Sequence, residues 1–68
     1  MLMQPVTSSN LVAVGYDDST STLYIQFRNG TYKYFNVPHN VYRNLLNAPS
    51  KGEYHADFIK NHYQYSRA

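Results

Sequence analysis

The stretch TLYIQFRNGTYKYF, residues 22 to 35, decides the fold of this 68-residue chain. Before Asn29-Gly30, apolar and polar residues alternate, as they do in a strand with one buried face. Asn and Gly tolerate the positive φ angles that both central residues of a type I′ hairpin turn need. We therefore predict two antiparallel strands, over 22–28 and 31–35, joined by a two-residue turn at Asn29-Gly30.

The same turn predicts which side chains face the core. In the register that it sets, Phe27 lies opposite Tyr32, and further along the hairpin Ile25 lies opposite Tyr34. Because directly opposed residues share a face, both tyrosines are predicted to point into the core with Leu23. The other side is predicted to be exposed, and we call it the open face. It carries Tyr24, Gln26, Arg28, Lys33 and Phe35.

The rest of the chain predicts one more strand and two helices. Residues 10–16 are rich in valine and end at a cluster of turn-forming residues, as expected for a first strand. Apolar residues recur at helical spacing over 38–47, a segment that begins with a proline. Ser50 and Glu53 are spaced as a capping box at the start of a second helix, over 51–62. The predicted fold class is α+β: a three-stranded antiparallel meander followed by two short helices packed on one face, in the order βββαα.

Length and composition indicate one small domain, residues 1–68, of which we expect residues 1–8 to be flexible. The chain contains no cysteine, so neither a disulfide framework nor a thiolate metal site is possible. No apolar run approaches the ~18 residues of a membrane span. The start of the chain lacks the basic and apolar regions of a signal peptide. We therefore expect a cytoplasmic protein with no membrane partner.

The sequence contains no pattern typical of an enzyme. The three histidines, His39, His55 and His62, do not have the spacing of a metal site. No serine lies in a nucleophile motif, and the isolated glycines form no phosphate-binding loop. We therefore expect a protein that is not an enzyme, and we predict no catalytic residue, metal ligand or cofactor.

The predicted open face is the candidate binding surface. On it, the rings of Tyr24 and Phe35 interleave with the cations of Arg28 and Lys33. Rings stack on bases and cations meet phosphates, so this pattern is typical of a surface that binds RNA or single-stranded nucleic acid, and the net charge of +2 is compatible with such a partner. Exposed rings are equally typical of a contact with a protein or with a second copy of the chain. Since Tyr and Phe also have high strand propensity, a face with no specific ligand is the third alternative.

The order of these motifs resembles that of the KTSC domain family, which occurs at the C-terminus of some lysyl-tRNA synthetases and as stand-alone bacterial and phage proteins. The resemblance covers about residues 6–65, and its most specific part is the Tyr-x-Tyr of Tyr32 and Tyr34, followed by Val37-Pro38. It implies a small binding module with no catalytic residue, for which RNA binding has been suggested. The family often has an aromatic or aliphatic residue at the position of His55, so we expect the second helix to pack less tightly here. Further matches are Ser9, Gly15-Tyr16, Phe27, Gly30, Ser50, Gly52 and Ile59.

Overall fold

The structure is a computed structural model that describes residues 1–68, and it contains five strands and two helices. The strands are β1 (Gln4–Pro5), β2 (Leu11–Asp17), β3 (Thr22–Phe27), β4 (Gly30–Tyr34) and β5 (Tyr65–Arg67). The helices are α1 (His39–Asn47) and α2 (Lys51–Tyr54), and α2 continues directly into a π-helix (His55–Ile59). No helix has the length and apolar character needed to cross a membrane.

All five strands form one antiparallel sheet, in the order β1-β2-β3-β4-β5. The α+β class is confirmed, and the three predicted strands form the centre of the sheet. The predicted extent of the sheet was wrong, because a short edge strand flanks the meander on each side. With only two and three residues, β1 and β5 are too short to show an alternating pattern in the sequence. Residues 1–8, expected to be flexible, include β1.

The hairpin between β3 and β4 has a different register from the predicted one. Ile25 lies opposite Tyr32, and the two turn residues are Arg28 and Asn29. Gly30 is the first residue of β4 and has a φ of 150°, a conformation that side chains disfavour. The register is therefore shifted by two residues from the predicted one. Because side chains alternate with a period of two, this shift leaves the paired residues of both strands on their predicted faces, whereas Arg28 now lies in the turn.

The core lies between one face of the sheet and both helices. Tyr34 is 4% exposed and Ile25 is fully buried, so the inward direction predicted for this face is confirmed. Leu45 of α1 and Ile59 of the π-helix are also fully buried, and both belong to the same apolar cluster. Since both helices contribute to this one cluster, the open face of the sheet is left without a helix.

The second helix begins as predicted but changes its winding. The Ser50 hydroxyl accepts a hydrogen bond from the Glu53 N–H at 3.3 Å, which is one of the two bonds of the predicted capping box. From His55 onward the helix is wider: the Lys60 N–H donates to the His55 carbonyl oxygen, five residues back, at 2.8 Å. The helix therefore ends at Ile59, before the predicted end at residue 62.

Candidate binding surfaces

Three of the four predicted binding residues come together on the open face. Tyr24 of β3 lies directly opposite Lys33 of β4. The Lys33 Nζ lies 5.9 Å from the centre of the Phe35 ring, within the range of a cation–π contact. All three side chains are half-buried at their base, and two of them project from paired strands. Two rings and one cation are thus held on a rigid surface.

Arg28 does not join this group. Its Nε donates a hydrogen bond to the Ser9 carbonyl oxygen at 3.0 Å. Its side chain lines a cleft on the helix side of the sheet, together with Phe27 and His55. The shifted register explains the difference: Arg28 lies in the turn, where the alternation of a strand no longer sets the direction of its side chain.

No carboxylate neutralises the basic side chains of the protein. No Lys or Arg lies within 4.0 Å of a carboxylate, and the one ion pair within that distance joins His39 to Asp18. Asp17 and Asp18 lie where β2 turns into β3, at the end of the sheet opposite the β3–β4 turn. Hydrogen bonds from the Ser19 hydroxyl and N–H hold the pKa of Asp17 below its usual value. Asp17 therefore stays ionised at neutral pH.

Exposed apolar side chains border the open face. Met1 is 64% and Leu2 is 84% exposed. This segment lies over Gly15, where an added Cβ would come within 2.7 Å of the Met3 sulfur. Gly15 lies opposite Tyr24, so the N-terminal segment borders the predicted binding residues. Apolar side chains next to such a surface favour a protein contact, the alternative that the sequence left open.

The helix side of the sheet carries a second surface, which the sequence did not predict. Five rings form a closed cycle in which neighbouring ring centres lie 5.0 to 6.0 Å apart. They line a hollow of about 320 Å³, whose other lining residues are Asn29 and Lys60. A second hollow of about 430 Å³ adjoins it along α2. We call the two hollows the aromatic cleft; its rings, in order around the cycle, are Phe27, Tyr32, Tyr65, Tyr34 and His55.

A hydrogen bond at the base of the aromatic cleft joins the Tyr34 hydroxyl to His55 Nε2 at 2.8 Å. Burial raises the pKa of Tyr34 to about 12, with smaller contributions from Tyr65 and Tyr32. Burial also lowers the pKa of His55, and the charge of Lys60 adds to that shift. At neutral pH the phenol therefore keeps its proton and the imidazole is neutral. The ring of His55, the residue for which the family resemblance implies looser packing, packs on those of Phe27 and Tyr34.

Arg67 lies beside the aromatic cleft, against one of its rings. Its Nη2 donates a hydrogen bond to the Asn29 carbonyl oxygen at 2.7 Å, which ties β5 to the β3–β4 turn. Its guanidinium carbon lies 5.6 Å from the centre of the Tyr32 ring. The one sequence signal for this surface is the Tyr-x-Tyr motif, from which only two side chains pointing into the core are predicted. Tyr65 and Arg67 carry no local signal, because β5 is formed by pairing with a distant part of the chain.

The histidines do not form a metal site. His39 packs beside Tyr16 at the start of α1, whereas His62 lies after the π-helix and its Nε2 is 3.0 Å from the Asp57 carbonyl oxygen. No three His, Cys, Asp or Glu side chains come together in a way that could hold a metal ion.

Comparison with known proteins identifies the family. The KTSC domain model matches residues 7–63. The chain is 42% identical over 67 residues to a lysine--tRNA ligase of Nostoc sp., which covers 97% of this chain but 12% of the ligase. It is 40% identical over 63 residues to a small protein of Tsukamurella paurometabola, covering 91% of this chain and 94% of that one. A crystal structure of a KTSC domain protein from Yersinia pestis matches with a TM-score of 0.96 and 38% identity, covering 98% of this chain and 96% of the other. The chain belongs to the KTSC domain family.

Proposed function

We propose that this KTSC domain is a non-enzymatic module that binds RNA or single-stranded nucleic acid on the open face of its sheet. The observation that carries the proposal is the arrangement of Tyr24, Lys33 and Phe35, two rings with a cation between them. Each base that stacks on such a ring contributes about 1–3 kcal/mol, and the ammonium group meets the phosphates between successive bases.

Two further observations support this ligand. No Lys or Arg is paired with a carboxylate, so the net charge of +2 is available to a polyanion. The chain is also related to a segment of lysine--tRNA ligase, a protein whose name places it in contact with an RNA. The flat, helix-free face suits an extended single strand better than a duplex, because unpaired bases can turn toward the rings.

Lys33→Glu tests this proposal directly. The change reverses one charge at the centre of the open face, and a cation that meets phosphate contributes to affinity for any sequence. We expect the affinity for a fluorescently labelled single-stranded RNA, measured by anisotropy, to fall by roughly fivefold or more. Arg43→Glu is the matched control, because it makes the same change of charge at an exposed position of α1.

Equal losses in the two variants would show that only net charge matters and would contradict a site on the open face. Circular dichroism checks that both variants keep the fold. Since Lys33 is partly solvent-exposed and not part of the apolar cluster, we expect both to fold.

A second candidate function is contact with a protein partner or with a second copy of the chain through the same face. The exposed side chains of Met1 and Leu2 beside Tyr24 favour it. Sedimentation of the purified protein at rising concentration, with and without residues 1–3, tests self-association. We expect the shortened protein to stay monomeric if those side chains form the contact.

A further inference from the structure

We propose that the aromatic cleft is a second binding site, which takes a single nucleotide: a planar base carrying a phosphate group. This site lies on the opposite side of the sheet from the open face, and it does not depend on the function proposed for that face.

The rings of the aromatic cleft are open to a ligand. Tyr65 is 57% exposed, and Tyr32 is only half-buried, although both belong to the cycle of five rings. A cluster that served only as core would be expected to bury them. The hollow that the five rings line, of about 320 Å³, lies at the lower end of the ~300–1,000 Å³ typical of small-molecule sites. A single planar ring system is therefore the size of ligand that the hollow suits.

The charges around the aromatic cleft select an anion. Lys60 lines both hollows, and Arg28 lines the larger one. Arg67 lies over the ring of Tyr32. No carboxylate lines either hollow. A quaternary ammonium ion, which other aromatic cages bind, does not suit this cleft, because the three nearby cations would repel it.

Two of these cations are already held in position. The Arg67 Nη2 is hydrogen-bonded to the Asn29 carbonyl oxygen, and the Arg28 Nε to that of Ser9. Each guanidinium keeps further N–H groups, which can donate to phosphate oxygens. Because these side chains are ordered before the ligand arrives, binding loses less conformational entropy. Rings for a base thus line the smaller hollow, while ordered donors for a phosphate lie beside it: Arg28 lines the adjoining hollow and Arg67 contacts the Tyr32 ring.

The test is a titration of the full chain with adenosine 5′-monophosphate, followed by NMR of the aromatic ring protons. We expect saturable shifts of the rings of Tyr65, His55 and Phe27. Adenosine alone and inorganic phosphate alone should each bind at least roughly tenfold more weakly, a difference of about 1.4 kcal/mol, because each supplies only half of the contacts. Tetramethylammonium should not shift these signals.

Three variants complete the test. Lys60→Ala and Tyr65→Ala remove exposed side chains of the aromatic cleft, and we expect each to weaken adenosine monophosphate binding by roughly fivefold or more. Arg43→Ala, at an exposed position of α1 that belongs to neither surface, should leave that affinity unchanged. The proposal is overturned if the nucleotide produces no saturable shift of the cleft rings, if tetramethylammonium binds there instead, or if Arg43→Ala loses as much affinity as Lys60→Ala.

Discussion

Tyr34 is the residue that most clearly separates the two faces of the sheet. Its ring is 4% exposed and lies opposite Leu23, while its hydroxyl is bonded to His55. Lys33, the residue that precedes Tyr34 in β4, projects to the open face. If β4 turned its opposite face to the helices, Tyr34 would therefore lie in solvent and Lys33 in the core.

Truncation of Tyr34 should destabilise the fold in two distinguishable steps. Tyr34→Ala removes a buried ring, and we expect the free energy of unfolding to fall by about 3–5 kcal/mol. Tyr34→Phe keeps the ring but leaves the His55 nitrogen without its partner, and we expect a loss of about 1–3 kcal/mol. Urea unfolding measures both, with Tyr24→Phe on the open face as the control. A Tyr34→Ala variant as stable as the native protein would show that this ring is not part of the core.

His55 should make the stability depend on pH. Burial lowers the pKa of its imidazole from the ordinary 6.5, and the unfolded chain therefore takes up the proton first as the pH falls. The stability that the neutral imidazole of His55 contributes is fully present above pH 6.5, and it is lost as the pH falls through the lower pKa of the folded state. The carboxyl of Asp17 lies outside this window, since its pKa is lowered from 3.8.

Urea unfolding between about pH 7.5 and about pH 5 measures this effect. We expect the native protein to lose stability over that range, and His55→Gln to lose less. His62→Gln, at an exposed position, should behave like the native protein. If His55→Gln had the same pH profile as the native protein, the imidazole would not be buried in the fold.

At the scale of elements, the sequence predicted what depends on local patterns. The alternation around Ile25 predicted β3 and its buried face, and the spacing of Ser50 and Glu53 predicted where α2 begins. The register of the hairpin was wrong because Arg28-Asn29-Gly30 satisfies either turn: Gly30 accepts a positive φ both inside the turn and as the first residue of β4. The choice between the two registers depends on packing across the sheet, which the residues of the turn do not determine.

The two candidate surfaces also differ in how far local sequence patterns predict them. Tyr24, Lys33 and Phe35 come from one hairpin, so the alternation of its strands was enough to bring them together. The aromatic cleft draws its rings from β3, β4, the π-helix and β5, and the π-helix and β5 are distant in sequence from the hairpin. Its existence depends on β5 pairing with β4, a contact that no property of residues 65–67 indicates.

The presence of β5 is itself testable. The Ala68 N–H donates to the Thr31 carbonyl oxygen at 2.8 Å, just beyond the end of the strand. We expect its amide hydrogen to exchange with solvent at least about tenfold more slowly than in an unstructured peptide. Arg67→Ala removes the bond to Asn29 and should speed that exchange. An Ala68 amide that exchanges at the free rate would indicate a frayed tail and an incomplete aromatic cleft.

At the scale of the whole molecule, the two sides of the sheet have different chemistry. One side is covered by the helices and carries the aromatic cleft. The other has no helix and presents rings, one cation and a border of apolar residues, which include Met1 and Leu2. Nucleic acid and protein are the two partners proposed for this open face, and ionic strength distinguishes the two proposals. Phosphate contacts weaken steeply as salt rises, whereas contacts between apolar side chains barely respond.

The salt dependence of RNA affinity tests the open face most directly. For single strands, the logarithm of the affinity falls against the logarithm of the salt concentration with a slope of about −0.7 for each phosphate neutralised. We expect the native protein to show such a slope, and Lys33→Gln to reduce its magnitude by about 0.7, because one phosphate contact is removed. An affinity that does not change with salt, or a slope that Lys33→Gln leaves unaltered, would contradict a nucleic-acid site on the open face.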